Sequence, residues 1–161
     1  MSTSNFLSPI EFRLSIVRLP ETVYYVQEAN IPGLSASFAQ QPTPFLTLPK
    51  AATKIEYEDL ELSLIADEDL KAYREISDWI TQLHFTESYD QYRALDESEY
   101  GIDSDMTLTI LNSHKNANVR VKFKNAFPVS ISSIQLDTKE SDVIAPTFNV
   151  SFKYDSYDIE V

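Results

Sequence analysis

Few side chains in this sequence are spaced for chemistry. Asp67, Glu68 and Asp69 stand together and could act as acid/base carboxylates. They also open an amphipathic pattern, where free N–H groups and the helix dipole favour negative charge, so capping accounts for them without any reaction. His84 and His114 fit no metal-ligand spacing, and His114 falls in a run of turn formers. Asp96 to Thr107 has the length of a calcium loop, with Gly101 at its sixth position. Tyr100 stands at its fifth and Thr107 at its twelfth, where such a loop needs a bidentate glutamate, so the stretch reads as a solvated acidic loop. Glycine occurs only at 33 and 101, which excludes a P-loop, a dinucleotide fingerprint and a nucleophile elbow. Without cysteine there is no thiol nucleophile, disulfide or Cys-type zinc site. Asn149-Val150-Ser151 matches a glycosylation sequon but lies inside a strand pattern. No catalytic, cofactor-binding or metal-binding residue is assigned, and the chain reads as a non-enzyme.

The remaining polar features suit contact. Arg120, Lys122 and Lys124 form the one concentrated basic stripe, and pairing with carboxylates of a neighbouring subunit explains it better than nucleic acid does. Tyr89, Tyr92, Tyr100 and Tyr157 could form a sugar platform or the rim of an interface. With 13 basic and 25 acidic residues the net charge is −12, which repels nucleic acid and anionic membranes. That charge serves solubility, and it would also suit a wall that nucleic acid slides past. No stretch reads as a secretion signal or a membrane span, so a soluble protein made in a cytoplasm is expected.

The elements that carry these residues are mostly strands. Pro9–Leu19 alternates, with Ile10, Phe12, Leu14 and Ile16 on one side; Val23–Ala29 follows after a short connection, and the two read as a hairpin. Leu60, Leu62 and Leu64 share a face of the strand over 56–66. Leu70, Tyr73, Ile76, Trp79, Ile80 and Leu83 recur at helical steps, predicting a helix over 67–84 anchored by Trp79. A short helical turn is expected near Glu87–Tyr92. Met106–Leu111 and Val119–Lys124, joined by Asn112–Asn118, form the clearest hairpin. Phe127-Pro128 should bend the chain into a strand over Val129–Leu136, with a bulge at Ser132-Ser133. Thr147–Tyr157 closes the pattern. The prediction is one domain over residues 1–161, mainly β: an antiparallel β-sandwich or flattened barrel of seven or eight strands with one flanking α-helix.

Ser35–Ile55 fits none of these roles. It is too apolar for a solvated loop and too rich in proline for a central strand. Phe38, Phe45, Leu46 and Leu48 need cover, and Pro42, Pro44 and Pro49 punctuate the chain around them. The segment reads as an extended hairpin arm that packs on another copy, with Pro42 and Pro44 at its tip or outer edge.

The order of features resembles the tail-tube proteins of contractile-tailed, T4-like bacteriophages. The segments that carry the likeness are the IPGL break, the arm, YEDLELSL, the helix ending Ser77-Asp78-Trp79-Ile80, TLTILNS, FPVSIS and the closing Phe148/Val150/Phe152/Tyr154 alternation. The resemblance spans nearly the whole chain. It implies a β-sandwich protomer in hexameric rings that stack into a tube, an acidic lumen through which DNA passes without specific binding, and a hairpin packed on the adjacent ring. It further implies tail sheath and baseplate partners, a place in the virion and assembly in the host cytoplasm. Arg120, Lys122, Lys124, Phe38, Pro42, Pro44, Phe45, Leu46 and Leu48 are the expected inter-subunit contacts. A baseplate tube initiator or adaptor ring of the same fold is the alternative, and a carbohydrate-binding sandwich is the alternative of another class.

Overall fold

A computed structural model describes residues 10–84, 88–97, 101–112, 114–139 and 144–161. In chain order these form β1 (Phe12–Ile16), a 3-10 turn (Thr22–Tyr25), β2 (Val26–Ala29), β3 (Leu34–Pro42), β4 (Thr47–Tyr57), β5 (Leu60–Ile65), α1 (Lys71–Leu83), α2 (Tyr89–Asp96), β6 (Ser104–Leu111), β7 (Ala117–Ile131), β8 (Thr147–Lys153) and β9 (Ser156–Glu160). The fold is mainly β, as predicted, and every strand pair is antiparallel.

β7 belongs to two layers. Its first half pairs with β6 on one side and β9 on the other, and β6 pairs with β1. Its second half pairs with β8, which continues through β5 to β2. The crossing lies near Asn125, a residue with φ 53°. Asparagine tolerates that left-handed conformation, and here its amide nitrogen also donates to Asp155 Oδ2 at 2.6 Å.

The core fills the space between the layers. Leu14, Ile16, Met106, Leu108, Val121 and Phe123 enter from one sheet; Leu60, Leu62, Leu64, Phe148, Val150 and Phe152 enter from the other. Each set follows the two-residue period of its strand. α1 adds Ala72, Ile76 and Trp79. Trp79 is the anchor the helical spacing predicts: its ring lies 6.2 Å from Phe152, its indole nitrogen donates to Ile102 O at 3.1 Å, and the Arg18 guanidinium stacks 4.9 Å above it.

Several predicted details are corrected. β1 and β2 do not form a hairpin; β1 pairs with β6 and β2 with β5, because the 3-10 turn after Pro20 carries the chain from one layer to the other. α1 begins at Lys71, four residues later than predicted from 67, since Leu70 adopts φ 51° and breaks the helical path. Asp67, Glu68 and Asp69 therefore precede the helix, and Leu70 is exposed rather than part of its buried face. A second helix, α2, forms at Tyr89–Asp96, later than the predicted turn, whose start at Glu87 lies outside the described residues. The β6–β7 hairpin forms as predicted, with Ser113 of its turn outside the described residues.

β7 continues as strand through Pro128 to Ile131, whereas the sequence places the start of a new strand at Val129. That half of the strand has β8 on one side and, among the described residues, no strand on the other, so a missing N–H is tolerated. The register shift falls between Pro128 and Ser130 rather than at Ser132-Ser133, and Ser132–Leu136 is not strand. The last predicted strand is broken at Tyr154-Asp155 into β8 and β9, which lie in different layers; nine strands result among the described residues.

Candidate assembly interface

β3 and β4 form a two-stranded sheet of their own, and among the described residues neither pairs with any other strand. At nine and eleven residues they make a ribbon about 30 Å long. Every residue of β3 is exposed, and so is every residue of β4 except Tyr57. This is the predicted arm, with root and tip now placed.

The tip is Thr43-Pro44-Phe45-Leu46, closed by Thr43 N donating to Leu46 O at 3.0 Å and by Leu46 N donating to Thr43 Oγ1 at 3.2 Å. Pro42 ends β3 and Pro44 sits in the turn, so neither removes a hydrogen bond from the middle of the ribbon. Phe45 at the apex is 96% exposed.

Register sorts the arm into two faces. Leu34 pairs with Tyr57, Ala36 with Ile55, Phe38 with Ala51 and Gln40 with Pro49. Between the second and third of these pairs β4 uses four residues where β3 uses two, an even difference that keeps the faces in phase. Leu34, Ala36, Phe38, Ala51, Ile55 and Tyr57 therefore share one apolar face. Ser35, Ser37, Ala39, Gln41, Lys50, Lys54 and Glu56 occupy the other, with Lys54 and Glu56 in an ion pair at 2.6 Å. Leu48 lies opposite Gln41 on that polar face, away from Phe38. Leu34, Ile55 and Tyr57 were not singled out in the sequence; the alternation of the two strands is the signal that finds them.

Large apolar side chains left in water are the mark of a contact surface when they gather on one element. Leu34, Phe38, Phe45, Leu46 and Ile55 are all more than half exposed and all belong to the arm. Each fully buried side chain of this kind is worth ~1.5–3 kcal/mol, so covering what these five expose would contribute roughly 6 kcal/mol per arm.

The arm's root is closed tightly. Glu58 N donates to Gly33 O at 3.1 Å, and Gly33 N donates to Glu58 Oε2 at 3.2 Å. A Cβ on Gly33 would stand 2.6 Å from that carboxylate oxygen, so a larger residue here would push the Glu58 side chain aside and cost this hydrogen bond.

The basic stripe lies on the solvent face of β7. Lys122 pairs with Glu160 and Lys124 with Asp158, both at 2.8 Å and both on β9 of the same chain. The Asp158 carboxylate holds the Lys124 ammonium above its ordinary range through a direct hydrogen bond. Arg120 stands opposite Glu160 in the β7–β9 register. The tyrosines considered for a sugar platform are on separate elements: Tyr89 and Tyr92 on α2, Tyr157 on β9; Tyr100 lies outside the described residues. His84 closes α1 with its ring nitrogen 2.8 Å from Ile80 O. No group of acidic, His or Cys side chains among the described residues gathers into a metal site, and no described helix is long and apolar enough to cross a membrane.

The family model described as phage tail tube protein matches residues 15–160. The chain belongs to the phage tail tube protein family. A comparison with curated proteins gives no match. Among solved structures, a chain of the anti-feeding prophage baseplate is similar at TM-score 0.69 and 12% identity, covering 98% of this chain and 97% of that one. A chain of the extended sheath-tube complex of an extracellular contractile injection system follows at 0.66 and 13%, with 98% and 93% covered. A chain of the anti-feeding prophage tube-terminating cap aligns at 0.60 and 12%, with 99% and 94% covered. These likenesses extend the fold over nearly the whole tail tube protein.

Proposed function

We propose that this protein is the repeating subunit of a phage tail tube, assembled as hexameric rings that stack around a lumen through which DNA passes. The observation that carries the reading is the arm, a ribbon of about 30 Å whose apolar face, beyond Tyr57 at its root, finds no cover among the described residues. Docking of Phe38, Phe45, Leu46 and the rest of that face on a subunit of the next ring would cover it. Leu48 and the prolines Pro42 and Pro44 would meet the same neighbour from the polar face and the tip.

Within a ring, the sheet built from β1, β6, β7 and β9 supports lateral assembly. Its outermost strands, β1 and β9, each have a neighbour on one side only among the described residues. Strands with one free side invite pairing with another chain, and joining the β1 side of one subunit to the β9 side of the next continues the sheet around a ring.

The charge supports passage without capture. The stripe Arg120, Lys122, Lys124 could grip phosphate, but Lys122 and Lys124 are held by Glu160 and Asp158. The chain's carboxylate excess, net −12, then sets the sign of an acidic lumen. Sheath and baseplate proteins are the expected partners, the virion tail the expected place and the host cytoplasm the site of assembly.

A second reading is a ring of the same fold that starts or adapts the tube at the baseplate; the likeness to a baseplate chain favours it. Electron microscopy of the purified protein, alone and with baseplate, tests both. Long tubes support the repeating subunit, and single rings that persist at high concentration support the initiator. A protein that stays monomeric under every condition defeats both readings.

A further inference from the structure

We propose that Tyr154 and Tyr157 are the positioning residues of the arm, their hydroxyls clamping the chain on both sides of its root and so setting the direction in which it leaves the body. The claim that this direction serves ring stacking rests on the reading above; the claim that the two hydroxyls set it does not.

The geometry is a two-point hold. Tyr154 Oη donates to Glu58 O at 2.7 Å, just after β4, and Tyr157 Oη donates to Pro32 O at 3.3 Å, just before β3. Both tyrosines lean on Phe123, a core residue 1% exposed, with ring centroids at 5.0 and 5.8 Å. Tyr57, the last residue of the arm, packs its ring edge-on against both, at 5.8 and 5.6 Å. The clamp therefore joins a buried point of β7 to both strands of the arm through three aromatic rings and two hydrogen bonds. Asn30 adds a staple below it, donating to Asp59 O at 3.2 Å and accepting from Glu61 N at 2.8 Å.

Such a hold is needed because of the arm's shape. A ribbon about 30 Å long turns a root swing of about 10° into a tip displacement of about 5 Å, a full strand spacing. A carbonyl left without its donor loses a partner that phenylalanine cannot supply. Burial pushes the Tyr154 hydroxyl up to about 12, so it stays a neutral donor throughout the working range.

The test uses the full chain, which has no cysteine of its own. Spin labels at Gln41→Cys near the tip and Arg74→Cys on α1 report the arm-to-body distance by electron–electron resonance in the unassembled protein. In Tyr154→Phe/Tyr157→Phe the distance distribution broadens, and the Glu58 amide exchanges about tenfold faster or more, each lost hydrogen bond being worth about fivefold. The control Tyr73→Phe, a ring of α1 packed on Phe148, leaves both readouts unchanged. Should the double variant fail to fold, the single variants carry the same measurement. An unchanged narrow distribution with unchanged exchange overturns the clamp. Loosening in a protein whose wild type never stacks supports the clamp and defeats the stacking reading instead.

Discussion

Replacing Phe38 by alanine separates folding from assembly. Phe38 lies mid-arm on the apolar face and is 63% exposed in the isolated chain. Burying a whole phenylalanine is worth ~2–3 kcal/mol, so covering the exposed part on a neighbour contributes about 1.5 kcal/mol per arm. In the proposed stack of hexameric rings, six equivalent arms at one junction would lose roughly 9 kcal/mol together, enough to shift assembly by orders of magnitude in concentration. The monomer loses little, since among the described residues the arm pairs with no strand of the body; its chemical-denaturation midpoint should stay where it is. Tube length by electron microscopy and the fraction pelleting in sedimentation should both fall sharply in Phe38→Ala. A variant that unfolds more easily yet assembles normally would refute the reasoning, because Phe38 would then be covered by its own chain.

Trp79→Ala should do the reverse, costing the monomer ~3–5 kcal/mol in unfolding experiments, because Trp79 is 1% exposed and anchors α1 on Phe152. Stability should also fall at high pH through Tyr154. Its folded-state pKa of about 12 lies above the ordinary 10.0, so the folded form keeps its proton longer; the contribution is full below pH 10 and lost as pH rises toward 12. Melting curves across that window should show the loss, and Tyr154→Phe should remove that part of it. Neutralising the partners of the basic stripe with Asp158→Asn/Glu160→Gln should free Lys122 and Lys124 to bind DNA weakly and in a salt-dependent way. Fluorescence anisotropy at low and high salt checks this, with the wild type expected to show no binding.

Local signals were legible in the sequence and cross-layer ones were not. The turn formers 112–118 between Leu108-Ile110 and Val121-Phe123 set a hairpin by neighbour contacts alone, and it formed. The pairing of β1 with β6 joins Phe12 to Ile110, a contact no local pattern announces, so adjacent strands were read as partners. The helix start was misplaced because acidic residues suit a cap, while the left-handed Leu70 that decides the boundary carries no sequence mark. Proline suggests a bend at Phe127-Pro128 because nothing in the local sequence marks that stretch as having a free side. The arm was visible as apolar residues among prolines, but its division into faces needed the register, which moved Leu48 to the polar side and brought in Leu34, Ile55 and Tyr57. The clamp was invisible, for Tyr154 reaches across 96 residues to Glu58.

A photo-crosslinking side chain in place of Phe45, the apex residue that is 96% exposed in the single chain, asks directly what the arm touches. Illumination of the assembled protein should yield covalent dimers and higher ladders, with the attachment mapped to the body of a second copy. Attachment confined to the same chain, in a protein that remains monomeric, would contradict the account.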